Sequence, residues 1–352
     1  MKESLRSAKT LLIRAPNWVG DIVMATPFFE CVRDNFPEAR IVGCVRRYAA
    51  GILADAPWFD EILPCHDKDL GGLRETANAL RRVQPDAAIV LPNSWRAVLS
   101  PWLAGVRQIY GYLRHGRGLM LSGGPEPQRD GRGAVVPRPM VDYYLELARW
   151  MELRLPERPV PKLYMSPETV REGERRLASY GIAPGDLVVG LNPGAKFGSS
   201  KCWPAEHFAA LAELLQKEFS CKLLLLAGPG EEELAATIVA KSRASLVNTG
   251  PDRIDLSQLK PLVKRCDLLV TNDTGPRHYA VAFGVPAVVV MGPTDHRYTD
   301  ANLDRTVVVR QELPCAPCHL KVCPLQHECM TRITPDMVLE AARGLMGRKV
   351  SA

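Results

Sequence analysis

Short apolar runs alternate with amphipathic stretches along this chain, and the whole alternation occurs twice. The runs cover residues 10–14, 41–45 and 87–91 in the first half, then 187–191, 222–227, 268–271, 287–291 and 306–310 in the second. "KLLLLA" and "AVVVM" are apolar at successive rather than alternate positions, as strands covered on both faces must be. Between the runs lie stretches with helical spacing, such as 71–82, 205–218 and 231–242. Strand, helix, strand with short connections builds parallel sheets with helices on both faces. The pattern breaks at "RLPERPVPKLYMSP", where Pro156, Pro159, Pro161 and Pro167 interrupt any helical period, as in a linker. A chain of 352 residues also exceeds what one ordinary core holds. The expectation is an α/β protein of two Rossmann-like parallel-sheet domains, residues 1–160 and 161–334, facing each other across a cleft. A last helix, in residues 335–352, is expected to pack back on the first domain.

Ligands of such sheets bind at the loops that follow the carboxyl ends of the strands. After the first run comes "APNWVGDIVMATPF", with Gly20 alone where a dinucleotide site wants G-x-G-x-x-G. Asp21 there starts a helix running towards Asp34, and complementing the helix dipole is its plain structural reading. "NPGAKFGSSKCWPAEHF" brings Lys196, Ser199, Ser200 and Lys201 into one loop, which is a diphosphate cradle that needs no metal or else a solvated basic loop. In "GPGEEEL", Glu231 heads a helix and can accept from ribose hydroxyls, although acids in a first turn need no ligand. "TNDTGPRH" offers Thr274 or Gly275 as N-cap and Pro276 at the first helical position. Its free N–H groups suit a phosphate. Capping alone leaves Asp273 and His278 without a task.

Several classes drop out. No apolar run approaches the roughly 20 residues that span a bilayer. The start, "MKESLRSAKTLLIRAP", holds only Leu11-Leu12-Ile13 before Arg14, unlike a signal peptide, so a cytoplasmic protein is expected. Between Arg96 and Arg138 stand seven arginines (96, 107, 114, 117, 129, 132, 138) against two acids, Glu126 and Asp130. Arginine forks suit phosphate and carboxylate, but no aromatic repeat interleaves them, which disfavours nucleic acid. Six of the ten cysteines are scattered in or beside apolar segments, as buried reduced thiols are. The other four, Cys315, Cys318, Cys323 and Cys329, lie beside His319 and His327 at spacings that could hold zinc. Only the first pair has the usual knuckle spacing, so a structural role, with or without metal, is expected.

Taken together, "RAPNWVGDIVMATPF", "NPGAKFGSSKCWPAEHF", "TNDTGPRHYAVAFGVPAVVVMGPTDH" and "PCAPCHLKVCPLQHECM" resemble the ADP-heptose:lipopolysaccharide heptosyltransferases, in order and over nearly the whole chain. Within that family the likeness is greatest to the branch that adds the second heptose of the inner core. The resemblance implies a GT-B architecture and an inverting transfer from ADP-heptose with no required cofactor. It places the catalytic carboxylate on Asp21, and diphosphate and sugar contacts on Asp273, Thr274, Gly275, Pro276 and His278. Lys201 and the serines of its loop join the donor site, Glu231 takes ribose, and Ile254 lies beside adenine. Another branch of the family has hydroxyl residues where this chain has Lys196 and Phe197. The implied acceptor is an anionic lipid A inner core, met by Asn93, Ser94, Trp95, Arg96 and Arg114, with peripheral contact at the inner membrane surface. A transferase for a different core position, another GT-B nucleotide-sugar enzyme such as an N-acetylglucosamine 2-epimerase, and a non-catalytic nucleotide-sugar-binding protein are the alternatives.

Overall fold

The computed structural model describes Leu5 and residues 7–347; residues 1–4, 6 and 348–352, among them the end of the expected last segment, lie outside the described residues. The chain divides into two compact units, residues 1–164 with 297–299, and residues 165–296 with 300–352.

The first unit holds β1 (Thr10–Arg14), β2 (Arg40–Arg46), β3 (Glu61–Cys65), β4 (Ala87–Val90) and β5 (Gln108–Tyr110) in the spatial order β3-β2-β1-β4-β5. Every pairing is parallel, with Leu12 opposite both Val42 and Ala88. The second unit holds β6 (Val188–Asn192), β7 (Lys222–Leu225), β8 (Leu246–Asn248), β9 (Leu268–Asn272), β10 (Ala287–Met291) and β11 (Thr306–Arg310), in the order β11-β10-β9-β6-β7-β8. It too is parallel throughout.

All eight expected strands form. β3, β5 and β8 are additional, and each lies at an edge of its sheet. An edge strand is covered on fewer sides, so it need not keep the continuous apolar run that marks a central one, although the edge strand β11 does. "EILPC" shows this: its first three residues are half-buried and Pro64 is exposed. In the central β7, Leu223, Leu224 and Leu225 are all at 0% exposure. Each such leucine stabilises the fold by roughly 1.5–3 kcal/mol.

Two expectations need correction. The helix expected to run from Gly20 towards Asp34 is two helices, Val19–Met24 and Thr26–Asn35. Pro27 has no N–H to continue the ladder, and the Thr26 hydroxyl donates to the Val23 carbonyl at 2.8 Å. The helix Pro335–Gly347, expected to return to the first domain, instead buries Val338, Leu339, Ala342 and Leu345 in the second unit's own core beside Leu211, Leu215 and Val290.

Each sheet reverses its strand order once, between β1 and β4 in the first unit and between β6 and β9 in the second. Loops leaving adjacent strands in opposite directions open a crevice at that point, where ligands of such sheets bind.

Candidate active site

At the second reversal, the loop after β6 and the turn after β9 meet through an ion pair. Lys201 Nζ lies 2.7 Å from Asp273 Oδ2 and also donates to the Asp273 carbonyl at 2.8 Å. Arg277, one helical turn on, donates from Nη1 to Asp273 Oδ1 at 2.7 Å, and the Thr294 hydroxyl donates to Oδ2 at 2.7 Å. Burial favours the protonated acid, but the charges of Lys201 and Arg277 outweigh it and hold the Asp273 carboxyl well below its usual range. Asp273 is therefore an ionised post that ties Lys201, Arg277 and Thr294 to the turn. Sequence reasoning missed Arg277 and Thr294. The four-residue spacing from Asp273 to Arg277 was the available signal.

Thr274 caps the helix Gly275–Phe283 in extended conformation without a side-chain cap bond, and Pro276 lies in its first turn. Thr274, Gly275 and Pro276 are half-exposed, so the N–H groups at this helix start face an accessible turn. His278 is buried behind it. Burial, then the charge of Arg277, pulls its imidazole pKa down to about 3, so it is neutral at pH 7.

The surrounding polar side chains fix both loops. Asn272 Nδ2 donates to the Pro193 carbonyl at 2.6 Å and its Oδ1 accepts from Trp203 N at 3.1 Å. The Glu231 carboxylate accepts from Gly228 N at 2.9 Å and lies against the same turn. A Cβ added at Gly194 would fall 1.9 Å from Glu231 Oε1. Burial raises the Glu231 pKa, opposed by the Gly228 N–H and Lys196. Ile254 is buried, and the next segment is tied in by Tyr279, whose hydroxyl donates to the Leu256 carbonyl at 2.9 Å.

Ser199 is exposed in this loop. Ser200 is not available as a donor contact, which corrects its expected role. Its hydroxyl donates to the Leu320 carbonyl at 2.5 Å, its N–H to Lys321 O at 3.1 Å, and its own carbonyl meets His327 Nε2 at 2.7 Å. The Cys315–Cys329 lobe thus braces the Lys201 loop from behind. Its four thiols are free, and among the described residues no group of three or more His, Cys, Asp or Glu side chains could hold a metal ion.

At the first reversal, Asp21 sits half-buried in the first turn of its helix. Burial raises the pKa of the enclosed Tyr144 hydroxyl, and the charge of Asp21 raises it further. Across the reversal, Asn93 Oδ1 accepts from Tyr143 at 3.1 Å and from Arg117 Nη2 at 3.2 Å. Ser94 caps the helix Trp95–Leu103, Trp95 Nε1 donates to the His115 carbonyl at 2.7 Å, and Arg96 Nη1 donates to Lys68 O at 2.5 Å. Arg114 is half-exposed and bonds the Tyr143 hydroxyl. Arg117 leaves the expected anion-docking face: it is fully buried, held by Tyr112 O, Pro92 O and Asn93, and desolvation lowers its pKa to about 10.

Two parallel-sheet units, one with an acid at a helix start and one with a cation-braced helix start, are the parts of a GT-B glycosyltransferase. The chain belongs to glycosyltransferase family 9 (heptosyltransferase), whose description matches residues 73–328. It is 29% identical to lipooligosaccharide heptosyltransferase 2 of Haemophilus influenzae, over 96% of this chain and 99% of that one. To lipopolysaccharide heptosyltransferase 2 of Escherichia coli K12 it is 28% identical, over 96% and 98%. Among solved structures it is similar to E. coli ADP-heptose LPS heptosyltransferase II, with a TM-score of 0.79 and 26% identity over 97% of this chain and 99% of that one. Among the described residues, no helix is long and apolar enough to cross a membrane.

The buried His278 gives a pH test. Its folded pKa of about 3 lies below the ordinary unfolded value near 6.5. Between those limits the unfolded chain binds a proton that the folded one refuses, so stability falls as pH falls through this window, by at most about 1.4 kcal/mol per pH unit. His278→Asn should flatten urea-unfolding free energies between pH 6.5 and 5. A variant with the wild-type slope would assign the acid sensitivity elsewhere.

Proposed function

We propose that the enzyme moves L-glycero-D-manno-heptose, with inversion, from ADP-heptose to the first heptose of a heptosyl-Kdo2-lipid A inner core. The observation that carries this reading is the Asp273 turn: a helix start with accessible N–H groups, braced by Lys201 and Arg277, at the strand reversal where a diphosphate binds. The end-to-end likeness to proteins named heptosyltransferase 2 supports the choice of sugar and acceptor.

Asp21 takes the proton from the acceptor hydroxyl as that oxygen bonds to the anomeric carbon. The bond from that carbon to the phosphate oxygen breaks, and ADP leaves with the electron pair. Charge grows on the departing diphosphate, so the preset Thr274-Gly275-Pro276 turn, Ser199 and Lys201 stabilise the transition state more than the ground state. Glu231 holds the ribose and Ile254 packs beside adenine, while His278, as a neutral donor, orients phosphate or sugar. Asn93, Ser94, Trp95, Arg96 and Arg114 receive the anionic acceptor. Such an acceptor puts the enzyme in the cytoplasm, in peripheral contact with the inner membrane.

Incubation with ADP-heptose and either heptosyl-Kdo2-lipid A or Kdo2-lipid A tests the reading. Transfer should require the first heptose. Equal or better transfer to the unheptosylated lipid would reject the assignment of acceptor position. A second test uses the Gly194 contact. The Cβ of Gly194→Ala displaces only the far end of the flexible Glu231 side chain. The melting temperature should stay near wild type while ADP affinity falls several-fold, as one charged hydrogen bond is lost. Unchanged ADP affinity would remove Glu231 from the ribose.

A further inference from the structure

The helix Trp95–Leu103 turns an apolar stripe away from its own core. Ala97 and Val98 face inward and join the first unit's buried cluster. Trp95, Leu99 and Trp102 follow at spacings of four and three residues, which sets them together on the opposite side. Leu99 is half-buried, while Trp95 and Trp102 are 46% and 51% exposed. The turn Arg117–Met120 packs alongside this helix and holds out Leu119, which is 93% exposed. Single apolar side chains at a surface are ordinary, but two tryptophans and a leucine on adjoining elements mark an interaction surface. The border of the patch is cationic. Residues 87–125 contain no aspartate or glutamate. Arg96 is exposed at the start of the helix and Arg107 just beyond its end, and Arg81 reaches that end too, where Nη2 donates to the Leu103 carbonyl at 2.6 Å.

Those two properties choose the occupant. Indole rings settle at the boundary between headgroups and acyl chains, and an apolar face bordered by arginines enters an anionic bilayer surface to a depth of about 5–10 Å. We propose that this face docks the enzyme on an anionic lipid bilayer, with Leu99, Trp102 and Leu119 entering the acyl boundary and Arg81 and Arg107 meeting headgroup phosphates. Position supports it. The stripe begins at Trp95, among the residues assigned above to the acceptor, and runs away from them to Trp102. An acceptor held in the same bilayer by its acyl chains is thus met where it emerges. The inference rests on that acceptor reading and names the surface through which the peripheral contact is made.

Sedimentation with acceptor-free vesicles tests this, with phosphatidylglycerol mixed into phosphatidylcholine or with phosphatidylcholine alone. The wild type should bind the anionic vesicles, and less tightly in high salt. Trp102→Ser/Leu119→Ser should lose at least about tenfold in affinity as two large apolar contacts go, and Arg107→Ala about fivefold on anionic vesicles only. All three positions are exposed, so melting temperatures should stay at the wild-type value. In turnover, the double variant should raise KM for acceptor embedded in vesicles and leave KM for the deacylated acceptor unchanged. Wild-type affinity in both variants, or no vesicle binding by any of the proteins, overturns the docking face. So does a double variant changed only in oligomeric state, which would give the stripe to a second copy of the chain. A wild type that binds anionic vesicles but transfers no heptose would sink the acceptor reading instead, a result distinct from loss of docking.

Discussion

Asp21→Asn enzyme should fold normally, bind ADP as the wild type does, and turn over roughly 10²–10⁴-fold more slowly, the usual span for loss of a general base. Asparagine keeps the size of the side chain and its ability to accept hydrogen bonds at a helix start, but it cannot take a proton. The nucleotide contacts proposed here all come from the second unit, so ADP affinity is the control. If Asp21 only complements a helix dipole, the pattern reverses. Its helix spans six residues, Val19–Met24, and removing a first-turn acid costs about 0.3–1 kcal/mol. Asp21→Ala would then lose that stability and retain its activity per folded molecule. Melting temperature, ADP affinity and turnover on both variants separate the two readings. Near-normal turnover in the Asn variant would end the case for Asp21 as base.

Asp273→Ala should lower stability by roughly 3–5 kcal/mol, because it strands the cations that the carboxylate neutralises. Arg277 is 1% exposed, and Lys201 Nζ donates twice to this one residue. The double variant Asp273→Ala/Arg277→Met should recover part of the loss, since it removes one of the two stranded cations and leaves only Lys201 without its carboxylate. Chemical unfolding of the three proteins measures it. A single Ala variant as stable as the wild type would show that the network holds little of the turn. The pH sign follows from the depressed carboxyl. Its stabilisation is complete above the unfolded value near 3.9 and is lost as pH falls towards the lower folded value. Asp273→Ala should therefore differ most from the wild type above pH 4, and the gap should narrow below it.

The central strands were legible because burial on both faces forces continuous apolar runs, as in Leu223–Leu225. β3, β5 and β8 were not, because edge positions relax that demand, and "LVN" in β8 is half-buried throughout. The turn after β9 was legible in its cap residues and its placement after a strand. What remained hidden was the division of labour inside it. Asp273 and Lys201 each read as ligand contacts, yet they are bonded to one another across 72 residues of sequence. Ser200 and Arg117 misled for a related reason. A hydroxyl in a basic loop and an arginine in a basic run look accessible in sequence, and only tertiary packing shows that Leu320 and Pro92 already occupy them.

The division of the chain at 164/165 also has a genetic consequence. Each unit closes its own sheet over its own buried cluster, with Leu12, Val42 and Ala88 in one and Leu223, Val270 and Val290 in the other. The proline-rich segment before the seam carries no strand that either sheet requires. Recombination there joins whole modules without cutting a hydrophobic core. Exchange of one half therefore leaves the hydrophobic core of the other intact, and only residues 297–299, which lie with the first unit, cross the seam.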